Sequence, residues 1–151
     1  MRGAAFTMVA AVLLAAGCAP SMRLPAGFVS TDDAPGGEYH VRGISADGVV
    51  VALRSEKNRD EADLDFWTKA VTNELVQRRG YRLQESAPHP KGADVPARLL
   101  TFSADKQGVT YLYLVNLIVR PDTILIAEAG GKAEAVKAVL PKVKKAFATV
   151  K

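Results

Sequence analysis

His40 and His89 are the only imidazoles in 151 residues, so acid–base or nucleophilic chemistry near neutral pH would have to be organised around one of them. A Ser-His-Asp arrangement is formally available, but the chain contains no Gly-x-Ser-x-Gly elbow. His40 falls in a β-rich run and reads as a structural or surface residue. His89 stands between Pro88 and Pro90 and reads as a solvated loop residue. The acids Asp60, Glu61, Asp63 and Asp65, with Glu74 eleven positions after Asp63, invite comparison with a calcium loop. The comparison fails because Trp67 and Thr68 take the fifth and sixth positions, where an oxygen ligand and a glycine are required. Acids at a helix N-terminus are accounted for by the helix dipole. Gly130-Gly131-Lys132 is placed where a strand meets a helix, yet the phosphate-loop spacing Gly-x-x-x-x-Gly-Lys-Ser/Thr is absent. No catalytic residue, cofactor site or metal site is therefore assigned, and a non-enzymatic protein is expected.

The lone cysteine carries more information. One thiol excludes an intrachain disulfide and any Cys-pair zinc site. Residues 1–17 have Arg2 followed by an uncharged apolar run too short to span a bilayer, the pattern of a secretory signal. Their end, Leu14-Ala15-Ala16-Gly17-Cys18, resembles the bacterial lipobox, in which the cysteine is lipidated on sulfur and becomes the mature N-terminus. Lipidation of Cys18 occupies its sulfur, so the residue is neither nucleophile nor ligand. Several acyl chains, at about 0.8 kcal/mol per buried methylene, make a stable anchor where one chain would be marginal. Ala19 after the cysteine, on that resemblance, favours the outer membrane. Removing 17 residues with Arg2 lowers the formal charge from +4 to +3, a balance that says little about partners. The cluster Arg78, Arg79, Arg82 and the lysines of the last helix are read first as dipole complement and solvated face, with contact to anionic envelope components as the alternative. Tyr111 and Tyr113 are read as sheet residues rather than a platform for nucleic acid.

The mature chain divides into a lipidated tether and lead-in segment, 18–37, and one domain, 38–151. Runs at 38–44 and 48–54 predict a hairpin around Asp47-Gly48. Asp63 is a natural N-cap for a helix with Leu64, Trp67, Val71 and Leu75 on one stripe and Gly80 as its terminator. Strands follow at 81–85, 97–103, 109–120 and 123–128, with a proline-rich loop at 86–96. Along the longest strand, Tyr111, Tyr113, Val115 and Leu117 share one face while Leu112, Leu114, Asn116 and Ile118 share the other. A strand apolar on both faces needs two covering layers. The final helix buries Val136, Val139, Leu140, Val143 and Phe147, and Pro141 predicts a kink or a restart within it. The expected class is α+β: an antiparallel sheet built from hairpins with a helix on each side, an α/β/α sandwich.

This pattern resembles the PsbP/DcrB-like group of secreted and lipid-anchored bacterial proteins. The resemblance rests on Leu24-Pro25-Ala26-Gly27-Phe28, Gly48-Val49-Val50-Val51, Phe66-Trp67, the strand at 111–119, and Val139-Leu140-Pro141-Lys142-Val143 followed by Ala146-Phe147. Ala146 stands where that group usually has serine. The resemblance implies an accessory or protein-interaction module on a bacterial membrane surface, most simply the periplasmic face of the outer membrane. Its partners would be the membrane through Cys18 and another envelope protein, with no nucleic acid. The alternative is a small-molecule or lipid carrier that uses a cleft between sheet and helix, and a deep apolar pocket would favour it.

Overall fold

The computed structural model describes residues 19–31, 37–89 and 95–151. Cys18, the leader before it and residues 90–94 of the proline-rich loop lie outside the described residues. The elements are β1 (Phe28–Ser30), β2 (Val41–Ser45), β3 (Val50–Lys57), α1 (Leu64–Asn73), β4 (Arg82–Pro88), β5 (Ala97–Lys106), β6 (Val109–Val119), β7 (Thr123–Lys132) and α2 (Ala133–Phe147). A π-helical stretch, Glu74–Arg78, prolongs α1. The seven strands form one antiparallel sheet in the order β1-β2-β3-β7-β6-β5-β4. Two meanders thus meet where β7, the last strand, pairs with β3.

The turns follow from backbone chemistry. Gly48 has φ +77° and its amide donates to the Ser45 carbonyl at 3.0 Å, closing the β2–β3 connection. Gln107 and Gly108 both have positive φ, the conformation that lets a two-residue turn match strand twist, so β5 and β6 pair out to Lys106 and Val109. Asp63 caps α1 as its type predicts, accepting from the Phe66 amide at 2.8 Å.

The sheet is apolar on both faces. Val49, Val51, Leu53, Leu99, Leu114, Leu125 and Ala127 pack with Val136, Val143 and Phe147 of α2 on one side. On the other, Leu100, Phe102, Val115, Leu117, Ile124 and Ile126 pack with Leu64, Trp67, Val71 and Leu75. The architecture is the expected α/β/α sandwich, and the two faces of β6 divide as the sequence alternation predicts.

Several details differ from the sequence reading. β4 runs on through Ser86, Ala87 and Pro88, which the prolines assign to the loop, because these residues pair with Leu100, Leu99 and Arg98 of β5. The sheet starts earlier, because β1 pairs with β2 and Met22 is buried against the α2-side core. Gly130 and Gly131 lie inside β7 rather than before the helix; a Cβ on Gly131 would come within 3.3 Å of the Val49 backbone, and one on Gly130 within 3.3 Å of the Tyr113 ring. Close packing against neighbouring strands, not helix initiation, favours glycine at these positions. Finally, α2 does not restart at Pro141 but runs through it. Pro141 and Lys137 are exposed, so the carbonyl that loses its donor faces water while Val136, Val143 and Phe147 hold the helix down.

Candidate functional site

The face that carries α1 is only partly covered by it. Even-numbered residues of β3 and β7 point to this side, and α1 with its π-helical extension reaches no farther than Arg54 and Ile126. Along the margin a polar network interrupts the apolar sheet. Glu128 on β7 accepts from Arg54 Nε at 2.6 Å and from the Tyr113 hydroxyl at 2.7 Å, and Arg54 Nη1 donates to Glu56 at 2.8 Å. Register places these groups together: Arg54 lies opposite Ile126, two residues before Glu128, and Tyr113 lies opposite Gly130, two residues after it. Gly130 leaves room for the Tyr113 ring to lie across β7, which is how its hydroxyl reaches the carboxylate.

Glu128 is 14% exposed and Arg54 24%, so this is a half-buried ion pair rather than a solvated one. Burial alone would pull the Arg54 guanidinium down, but its hydrogen bond and charge interaction with Glu128, and the charge of Glu56, hold it above its ordinary value. Burial, together with the Glu128 charge, pushes the Tyr113 phenol well above its ordinary value, keeping it a donor.

A cleft of about 250 Å³ opens beside this network, between α1 and the sheet. Its apolar floor is Trp67, Val71, Leu75, Val115 and Ile126, and Arg54, Glu74, Arg79 and Tyr113 stand at its rim. Two further depressions, of about 390 and 160 Å³, also border Tyr113, so the uncovered face is a furrow centred on that ring. Phe66 is 56% exposed next to it, with its ring edge-on to Trp67 at 5.4 Å. Chemically the furrow can bind and orient; of its two carboxylates, Glu128 already holds two donors and Glu74 pairs with Arg78 and Arg79.

The residues singled out in the sequence are dispersed. His40 and His89 lie at the ends of β2 and β4, about 24 Å apart at five strand spacings, and do not meet. His40 Nε2 lies 2.7 Å from Ser55 Oγ in an exposed contact, and among the described residues no carboxylate orients the ring as a nucleophile–base pair requires. His89 donates its backbone amide to the Ala97 carbonyl, tying β4 to the start of β5.

Among the described residues no group of three or more potential ligands is placed to hold a metal. The acidic turn is instead organised by Asn58, which is 3% exposed. Its Nδ2 donates to the carbonyls of Ala62 and Arg120, while its Oδ1 accepts from the Ala62 amide and from Trp67 Nε1. The arginine cluster is satisfied by acids. Arg78 and Arg79 pair with Glu74, and Arg82 Nη2 meets Asp105 at 2.6 Å. Hydrogen bonds from Thr110 and then Arg82 hold Asp105 below the usual carboxylate range.

Sequence reading missed Asn58, Arg54 and Glu128. The available signal for the last two was a charge at the end of the apolar run 49–53 and another after 124–127, each at a position that alternation turns toward the α1 side.

Solved structures share this fold, and three of them illustrate it. LpqN of Mycobacterium tuberculosis, involved in cell envelope biogenesis, aligns with a TM-score of 0.66 at 12% identity over 87% of this chain and 83% of its own. CyanoP, the PsbP of the cyanobacterium Synechocystis, aligns at 0.61 and 8% over 87% and 85%. PA94 of Pseudomonas aeruginosa, a protein of unknown function, aligns at 0.57 and 14% over 85% and 81%. No protein-family model and no curated protein matches the chain. At these identities the likeness is one of architecture: the chain has the PsbP-like fold.

Proposed function

We propose that this chain is a lipid-anchored, non-enzymatic lipoprotein of the bacterial envelope, held through Cys18, that docks another envelope protein through the furrow around Tyr113. The observation that carries the docking surface is its composition: tyrosine, tryptophan and arginine side chains converge on one uncovered sheet face, the residue types that dominate binding energy at protein interfaces. The half-buried Arg54–Glu128–Tyr113 network orients those groups before a partner arrives, which lowers the ordering cost of association. LpqN, with the same fold, is involved in envelope biogenesis, and this supports an envelope setting. The lipobox supports the anchor and the periplasmic face of the outer membrane.

The carrier alternative is favoured by the position of the cleft between helix and sheet but not by its size. About 250 Å³ for the cleft itself falls below the roughly 300–1,000 Å³ of pockets that enclose small molecules, although the neighbouring depression beside Tyr81 and Tyr111 holds about 390 Å³.

The test places a photo-crosslinking residue at Phe66 in cells. A discrete adduct with one envelope protein, lost in Arg54→Glu but retained in Lys137→Glu, is the expected result. A small molecule or lipid co-purifying in equal amount with the wild-type protein and displaced by Ala70→Trp would replace docking by the carrier function. Radiolabelled palmitate should mark the wild type and not Cys18→Ala; an unlabelled wild type would overturn the anchor.

A further inference from the structure

The modest net charge conceals a separation. Residues 19–31 and 135–151 carry Arg23, Lys137, Lys142, Lys144, Lys145 and Lys151 and no acid, whereas all 16 acids fall elsewhere. The fold brings these two segments together. Ser21 and Lys151 exchange backbone hydrogen bonds at 3.3 and 3.1 Å, the Arg23 amide donates to Thr149 Oγ1 at 2.9 Å, and Met22 is buried beneath them. Between the lead-in and α2 lies a groove of about 300 Å³ with Leu24, Pro25 and Ala146 in its walls and Arg23, Lys142 and Lys145 around it. Among the described residues none of Arg23, Lys142, Lys144, Lys145 and Lys151 pairs with a carboxylate. The dipole of α2 accounts for Lys144 and Lys145 in its last turn, but not for Arg23, Lys142 or Lys151.

We infer that this basic end is a membrane-docking surface that seats on the anionic headgroups of the bilayer holding the anchor. The inference rests on the anchoring at Cys18 proposed above. Chain length supplies the reason. Ser21 is pinned to the domain three residues after Cys18, and three extended residues span about 10 Å. The acylated residue therefore cannot leave this end, and the short tether lets its cations reach the headgroups, where their attraction acts over about one Debye length. Each basic side chain at an anionic surface raises the docked-to-free ratio by about fivefold. α2 and the lead-in pack on one face of the sheet and the furrow opens on the other, so docking of the basic groove leaves the furrow uncovered.

The test uses the mature chain from Cys18 onward, coupled through its single thiol to a maleimide lipid in vesicles, with lysine acylation read residue by residue by mass spectrometry. On phosphatidylethanolamine–phosphatidylglycerol vesicles, Lys142 and Lys145 should be protected about fivefold or more relative to Lys69 and Lys106. The protection should vanish on phosphatidylcholine vesicles, and Lys151, protected alongside them in the wild type, should lose its protection in Lys142→Glu/Lys145→Glu, whose folding is checked by Trp67 fluorescence. Equal labelling on both vesicle types, or equal protection on both, overturns the docking surface. Because the lipid is attached chemically, failure of palmitate labelling in cells with protection retained here overturns the anchor and leaves the docking surface supported.

Discussion

Replacing Glu128 by alanine removes the acceptor shared by Arg54 and Tyr113, and the structure sets the size of the effect. A hydrogen bond to a charged group contributes about 1.5–3 kcal/mol; the lower figure applies to Arg54, which keeps Glu56 at 2.8 Å and is 24% exposed. Orphaning the largely buried Tyr113 hydroxyl adds about 1–1.5 kcal/mol. Relief of the desolvation of Glu128, itself 14% exposed, returns about 1 kcal/mol. The net loss is about 2 kcal/mol, which at an unfolding entropy of about 2.1 cal/mol/K per residue lowers Tm by about 7 °C for the mature chain. Urea unfolding followed by Trp67, the only tryptophan and part of the cleft wall, measures it directly. Glu128→Gln, which keeps an acceptor without the charge, should lose about half as much. A Glu128→Ala loss below about 0.5 kcal/mol, or full additivity with Arg54→Met, would refute the coupling assigned to this network.

Tyr113 makes stability fall at alkaline pH. Burial and then the charge of Glu128 raise its native pKa, so an unfolded chain that ionises near pH 10 gains protons less readily than the native one, and stability is complete below about pH 10 and declines above it by up to about 1.4 kcal/mol per unit. Tyr113→Phe should flatten that decline relative to wild type in urea titrations at pH 9 to 11, values chosen to lie about one unit either side of the free phenol. Asn116 is fully buried among α2-side residues, and neither side-chain atom has a hydrogen-bond partner among the described residues. Asn116→Leu should therefore stabilise by about 1–3 kcal/mol in thermal unfolding, and destabilisation would show that the amide is satisfied. Asn58→Ala breaks four hydrogen bonds at a site 3% exposed and should cost about 3–4 kcal/mol, with a shift in Trp67 emission because one of those bonds is to its indole.

Periodicity made the layers legible. The alternation of β6 assigns Tyr113 and Leu114 to opposite faces, and the stripe Leu64, Trp67, Val71, Leu75 finds its face, because burial of apolar area is what selects these elements. The site was not legible, because Arg54 and Glu128 lie 74 residues apart and only the pairing of β3 with β7 joins them. Pairing between distant strands is set by the whole sheet, not by any local pattern. Gly130-Gly131 misled for a related reason: a glycine pair reads locally as a chain break, whereas here the crowding comes from Val49 and Tyr113 on neighbouring strands. Asn58 similarly resembles any polar turn residue until the carbonyl of Arg120 is brought to it.

An open sheet has two edges, and here each is a poor template for further strands. β1 offers three residues, while β4 is interrupted by a register shift between Leu83 and Glu85, carries Arg82 and Glu85, and ends on Pro88. Short length, a bulge, charge and proline are the devices by which exposed edges escape pairing with other chains. Copies of this domain crowded at high concentration should therefore stay soluble and unfibrillated, and extended peptides should not add to the sheet as an eighth strand.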